Sequence, residues 1–383
     1  MRVLYLPDKY DNYGAAISFR SMVLELKKIG IEPIIVAHQK GETYEFARNN
    51  GIQCHLIDFP SFLLSESDNK MKQTIKIIVI PVLRKFHKVR IYHSLKLIER
   101  EIDLSTIDLI HTNVNRNDIG AVIANKYKIP HIWHIREFGD LDYGCISLRN
   151  NYIDFMNKNT TAFVAISDAI KEHWIAKGLS RDKVFKIYNG VDCIKPGKKD
   201  NAKIRIIFAG LISKTKGQEQ LIKAISLLGS EIIDNIEVDF FGSGEELYID
   251  YLKKEVLKLN LIGTIRFHEY KKTLSSIIGQ YDIGVVCSKA EAFGRVTAEY
   301  MMAGLCVVAS NCGANSELIS DGETGYLYEH NDIKQLSLIL QNLINERSVI
   351  ALVGSKAREK AISEFTVERN AKNIYLLYKN IIR

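Results

Sequence analysis

Short apolar runs alternate with helix-period segments along almost the whole chain. VLYLP is followed by a helix pattern through SFRSMVLELKKIG, then by PIIVA. IDLIHTN, a helix pattern through GAVIANKYK, PHIWHI and AFVAISD continue the series. A second series opens with IRIIFAG and runs through GQEQLIKAISLLG, IEVDFFG, ELYIDYLKKEVLKL, IRFHE, KTLSSIIGQY and IGVVCS. It ends with a helix through TAEYMMAG and a strand at CVVAS. Alternation of this kind predicts parallel sheets with helices on both faces. Between the two series, IKPGKKDNAK breaks the period with proline, glycine and clustered charge near Cys193–Lys203. The expectation is an α/β chain with two doubly wound domains, residues 1–195 and 196–365. Such sheets bind ligands beyond the carboxyl ends of their strands, so chemistry is expected in the loops that follow them. Two such edges facing each other would form a cleft.

Length agrees with two domains, because a single core rarely grows past roughly 250–300 residues and this chain has 383. With 46% hydrophobic and 25% charged residues it has the composition of a globular protein. Six scattered cysteines without a C-x-x-C pair argue against a zinc site or a disulfide framework and fit a reducing compartment. The start, MRVLYLPDKY, lacks the apolar core of a signal peptide, and no run reaches the length of a membrane span. A cytoplasmic location is therefore expected.

Charge is unevenly placed. Lys70–Arg100 holds nine Lys/Arg and one acid, Glu99, and subtracting that +8 from the total of +7 leaves −1 elsewhere. The same segment contains the apolar run TIKIIVIPVL. It reads either as a solvated basic helix or as a patch for an anionic membrane surface or acceptor, which would make the enzyme peripheral on the inner face of the membrane. Nucleic acid is disfavoured, since the segment has few aromatics on which bases would stack.

The densest chemical signal is the segment from Ser288 to Tyr328. Glu291 and Glu299 bracket Phe293-Gly294-Arg295 at a strand-to-helix turn, with the helix beginning near Gly294. Free amides and the positive dipole end at such a turn suit a diphosphate. Glu299, about one turn in, is placed to accept from ribose hydroxyls. Two glutamates at this spacing alone would describe a solvated face; the turn between them argues for a site. Gly242-Ser243-Gly244 lacks the third glycine of a nicotinamide fingerprint. Ser167 reads as a helix N-cap, and His111 and His134 end neighbouring strands.

On these residues the chain resembles the retaining family 4 glycosyltransferases of the GT-B fold, the bacterial polysaccharide-building members especially. Glu291, Glu299, Ala303-Gly304, Val307-Val308, Gly313, Glu317, Gly322 and Gly325 follow the family pattern, with Ala314 replacing a second glycine. FAGLISKTKGQEQLIKAI resembles the family's Gly-Arg-Leu…Lys-Gly motif, with Leu211 where arginine is usual. KIYNGVD, PHIWHIREFGD and the glycine loop DNYGAAIS, with Gly14-Ala15 for Gly-Gly, extend the likeness over most of the chain.

The resemblance implies two Rossmann-like domains facing across a cleft, with residues 366–383 forming a helix that returns to the first domain. It implies catalytic roles for His134, Lys216 and Glu291. Donor contacts fall to Gly14, Ala15, Lys214, Phe293, Gly294, Arg295, Val296 and Glu299, with Lys214 or Arg295 as substitutes for the missing arginine. No metal and no cofactor are expected. The donor would be a nucleotide sugar, UDP-linked, and the acceptor a glycan or lipid-linked chain. A sugar-nucleotide epimerase of the same architecture and a non-catalytic partner subunit stay open as alternatives.

Overall fold

The computed structural model describes residues 1–11, 13–65, 70–197, 202–271 and 273–382, with the side chains of 70–77 and Tyr143 left out. Parts of three motifs therefore lie outside the described residues: Asn12 of the glycine loop, 198–201 of the linker, and the side chains that open the basic segment. The chain forms two compact units, one of Met1–Gly190 with Val367–Arg383 and one of Val191–Thr366.

The first unit opens with β1 (Arg2–Leu6), α1 (Gly14–Lys28), β2 (Glu32–Ala37), α2 (Glu42–Asn49) and β3 (Gln53–Leu56). Next come β4 (Leu63–Ser65), the long α3 (Lys70–Glu101), β5 (Leu109–Asn113), α4 (Ile119–Tyr127) and β6 (His131–Ile135). α5 (Asp140–Tyr143), β7 (Cys145–Ser147), α6 (Tyr152–Asn159), β8 (Ala162–Ala165), α7 (Asp168–Ala176) and β9 (Val184–Lys186) follow. Seven strands form one parallel sheet in the order β3-β2-β1-β5-β6-β8-β9, and β4 pairs antiparallel with β7.

Strand alternation explains why helices cover both faces of this sheet. Val3 and Tyr5 of β1 point into a core with Phe19, Met22, Val23 and Leu26 of α1. Leu4 and Leu6 point the other way, onto Ile91, Leu95 and Ile98 of α3 and Ile119 and Ile123 of α4.

The second unit contains β10 (Ile204–Ala209), α8 (Gln218–Ser226), α9 (Ser230–Ile233), β11 (Ile236–Phe241), α10 (Glu246–Lys258) and β12 (Ile265–His268). α11 (Ser275–Ile278), β13 (Ile283–Val286), α12 (Arg295–Met302), β14 (Cys306–Ser310) and α13 (Asn315–Leu318) come next. β15 (Tyr326–Tyr328), α14 (Ile333–Asn345) and α15 (Arg347–Glu364) complete it. Its six strands are parallel in the order β12-β11-β10-β13-β14-β15. The final helix, α16 (Val367–Ile382), belongs to the first unit, where Ala371, Ile374, Leu377 and Tyr378 join the core that α1 also lines.

Two local expectations are corrected. The pattern KTLSSIIGQY yields only the single turn α11, which stops at Gly279 because that glycine lies backbone to backbone against Gly197, whose amide donates to the Gly279 carbonyl at 2.9 Å. Gly14 and Ala15 are not in a loop: they are the first two residues of α1, whose N-cap is Tyr13. Glycine and alanine leave at most a methyl group over the first turn, so its amides stay approachable. Among the described residues, no single helix is long and apolar enough to cross a membrane.

Candidate active site

Strand order reverses between β10 and β13, so the loops after those strands stand at the switch point, beyond the carboxyl edge of the sheet. The loop after β10 carries Leu211–Gly217, and the loop after β13 carries Cys287–Gly294. Their approach is fixed by backbone: Lys289 N–H donates to the Thr215 carbonyl at 2.9 Å. Gly217, at φ +74°, lies so close to the Cys287 carbonyl that a side chain there would overlap it. Lys216 reaches across and meets Glu291, Nζ to Oε1 2.5 Å, with the carboxylate largely buried and the ammonium a third exposed. Two residues 75 positions apart thus form one ion pair.

Gly294 is the N-cap of α12 and sits at φ +78°, left-handed backbone that glycine adopts freely. A Cβ there would stand 3.1 Å from Asn315 Oδ1 and 3.2 Å from Thr297 Oγ1. Those two buried side chains bond each other at 2.8 Å, and Asn315 Nδ2 donates to the Ser310 carbonyl at 3.1 Å. They brace the first turn of the helix from behind. Gly313, at φ +56°, packs on the Glu291 backbone, and Ala314 N–H donates to the Glu291 carbonyl at 2.8 Å. One turn into α12, Glu299 accepts from Arg295 Nε at 2.8 Å. Burial pushes the Glu299 carboxyl above the usual range, against the opposing pull of the Arg295 guanidinium. Phe293 is buried with its ring edge-on to Phe365, so its part at the turn falls to its backbone. Val296 is half-buried in the first turn.

In the same unit an open cavity of about 560 Å³ lies between the loops after β10 and β11, lined by Leu211, Ser213, Lys214, Gly244, Glu245 and Tyr248. Leu211 is half exposed there, and Lys214 stands on the same wall.

In the first unit the strand order reverses between β1 and β5. A cavity of about 410 Å³ opens at that edge, lined by Asp8, Tyr10, Tyr13, Ala15, Asn113, Arg116 and Glu137 among others. Val114, just past β5, holds φ +75°, a strained setting for a β-branched residue. Below this edge runs a buried polar chain. His111 Nδ1 meets Tyr378 Oη at 2.5 Å, and His111 Nε2 meets His134 Nδ1 at 3.1 Å. Arg136 donates to Asn113 Oδ1 at 2.6 Å, to Asn189 Oδ1 at 2.5 Å and to His134 Nδ1 at 3.4 Å.

Burial, then the Arg136 charge, hold both histidines well below the ordinary imidazole value, so they are neutral. With Nδ1 of His134 accepting, its proton sits on Nε2, which is buried and has no hydrogen-bond partner among the described residues. His134 therefore offers one unsatisfied donor inside the protein.

The structure thus brings Lys216, Glu291, Phe293, Gly294, Arg295, Val296 and Glu299 to one edge of the second unit, with Lys214 on the cavity of the same unit. Gly14, Ala15 and His134 lie in the first unit. Ser167 caps α7 by accepting from Ile170 N–H at 3.0 Å. Asn315, Thr297 and Tyr378 escaped the sequence reading. No local signal marks Asn315 and Tyr378, because their partners are 18 and 267 positions away. Among the described residues no group of three or more His, Cys, Asp or Glu is arranged to hold a metal ion.

The chain is thus built of two doubly wound parallel α/β units, with a glycine-capped helix turn and a lysine at the switch point of the second, and the family comparisons give its class. The model for "Glycosyltransferase Family 4" matches residues 13–195, and that for "Glycosyl transferases group 1" matches 193–363. The chain belongs to these GT-B glycosyltransferases and is itself a glycosyltransferase. An uncharacterised glycosyltransferase of Methanocaldococcus jannaschii is 25% identical over 87% of this chain and 92% of its own length. The capsular polysaccharide biosynthesis glycosyltransferase CapM of Staphylococcus aureus is 23% identical over 58% of this chain, an alignment spanning 62% of CapM. Anabaena HepE, solved in complex with UDP, has the same fold with a TM-score of 0.76 at 17% identity, covering 99% of this chain and 100% of that one.

Proposed function

We propose that the protein transfers a sugar, with retention of configuration and without a metal ion, from a UDP-linked donor to a glycan or lipid-linked acceptor in cell-surface polysaccharide synthesis. The observation that carries this is the Lys216–Glu291 pair beside the open N-terminus of α12. The diphosphate gains charge as the glycosidic bond breaks. A fixed ammonium and oriented amides stabilise that charge without reorganising, an effect worth roughly 3–4 kcal/mol per donor in comparable sites. Glu291 then accepts from donor sugar hydroxyls. Glu299 keeps one carboxylate oxygen for the ribose while Arg295 holds the other. His134 keeps a sugar-contacting role only through the family resemblance, since its side chain is buried inside the first unit and lines neither cavity. UDP in HepE and the capsule role of CapM support the donor and pathway class.

The test is nucleotide release from a panel of sugar nucleotides, with and without bacterial membranes, followed by NMR of the product linkage. Acceptor-dependent release, an α product from an α donor, and activity unaffected by EDTA are expected. An inverted product, or release of an epimerised sugar nucleotide without acceptor, overturns the reading.

A further inference from the structure

We infer that the outward face of α3 is a docking surface for an anionic lipid bilayer. An ordinary surface helix buries one apolar stripe and turns charge to water. α3 does not. Its inward stripe, Ile91, Leu95 and Ile98 with His87 and Ser94, is buried in the first unit. Ile78, Val82, Phe86, Val89 and Tyr92 recur three or four positions apart, and that spacing gathers them on the opposite side. All five are exposed, Ile78 at 70% and Phe86 at 63%. Five large apolar groups in one continuous stripe on a single helix are a patch that water does not favour, and such patches mark interaction surfaces.

Charge selects the occupant. Lys85 and Lys96 lie within the stripe and Lys88 along its margin, all exposed, and Tyr92 carries the Lys96 ammonium 5.8 Å over its ring. Apolar side chains interleaved with lysine, with an aromatic residue whose ring is apolar and whose hydroxyl is polar, suit the boundary between headgroups and acyl chains. A protein partner would have to bury those lysines, whereas anionic headgroups neutralise them in place. The segment carries +8 overall, so the field around the stripe is strongly positive. Some of that charge is already engaged within the protein, as in Arg90–Asp58 at 2.7 Å and Lys96–Glu99 at 3.0 Å. The apolar stripe therefore supplies the anchor, and the lysines supply lipid selectivity.

The inward face connects the same helix to the site loops. His87 Nε2 meets the buried Asp118 carboxylate at 2.9 Å, at the end of the loop that begins with Val114, just past β5. A bilayer held on α3 is thus one side chain away from the loop that lines the cavity of the first unit.

Vesicle flotation of the full-length protein tests this. Phosphatidylglycerol-containing vesicles should recover the protein, pure phosphatidylcholine vesicles should recover several-fold less, and added salt should weaken the difference. Lys85→Gln with Lys88→Gln should lower partitioning roughly fivefold per cation removed. Phe86→Ser with Val82→Ser should abolish it. Lys253→Gln with Lys254→Gln, on an exposed face of α10, should leave it unchanged. All these positions are exposed, and circular dichroism checks that each variant folds. Equal recovery with both vesicle types, or no recovery with either, overturns the proposal. So does a lipid-free dimer in sedimentation equilibrium that Phe86→Ser with Val82→Ser dissociates, because the stripe would then belong to a second copy of the chain.

Discussion

Replacing Lys216 by alanine separates a catalytic role from a structural one. The pair it forms with Glu291 has its carboxylate largely buried and its ammonium a third exposed. It therefore lies between a surface pair, worth about 0–1 kcal/mol, and a buried one, whose breakage costs about 3–5 kcal/mol. Stability should fall by about 1–2 kcal/mol, because Glu291 keeps its backbone ties to Ala314. For a unit of this size that lowers the melting temperature by about 2–8 °C. The effect on turnover should be much larger. Losing a preorganised donor to a departing anion costs roughly 2.7–4 kcal/mol, a factor of about 10²–10³ in kcat.

Steady-state nucleotide release, read as kcat and KM separately, and calorimetric melting give the two numbers. Lys216→Arg keeps the charge and should recover part of the rate. The double variant with Glu291→Gln should recover some stability but none of the turnover, since it removes the orphaned carboxylate without restoring the cation. A variant that melts earlier yet turns over normally would show that Lys216 only tethers the Glu291 loop. A rise in KM alone would reduce it to a ground-state contact.

Gly313→Ala forces a left-handed alanine whose methyl overlaps the Glu291 carbonyl and lies 2.8 Å from its amide nitrogen. It should destabilise the second unit by about 2–4 kcal/mol and depress activity; normal melting would contradict the packing. Glu299→Gln should weaken binding of the nucleoside diphosphate about tenfold, roughly 1.4 kcal/mol, by titration calorimetry. The same variant carries a pH signature. Glu299 is raised in the folded state, so its contribution is fully present below the unfolded value and is lost as pH rises through the folded one. Glu299→Gln should therefore melt higher than the parent at neutral pH and converge with it in acid; a pH-independent difference would refute the desolvation argument. His111 and His134 are held well below the ordinary imidazole value and His131 is pulled down to about 3, in each case chiefly by burial. The unfolded chain thus takes up protons first. The first unit should lose stability as pH falls below about 6.5, and His111→Gln should flatten that slope.

Much of this was legible from residue order alone. Parallel strands buried on both faces must be continuously apolar, so VLYL, PIIVA and IRIIFA announce themselves, and the helices between them follow from a different period. The turn at Gly294 was readable because glycine, helix start and flanking glutamates are neighbours in the chain. Residue order determined the α/β class, the alternation of elements and the glycine-capped start of α12. It left open what depends on distance in the chain. Charge and an apolar run let the α3 segment be read as a basic helix or a surface patch, but only packing shows that it has two apolar faces and which of them stays in water. The Lys216–Glu291 pair, the brace from Asn315 and the contact of Tyr378 with His111 join residues that no local pattern links. Tertiary structure decided these, because hydrogen bonds and ion pairs act over a few ångströms in space and carry no trace of the separation along the chain.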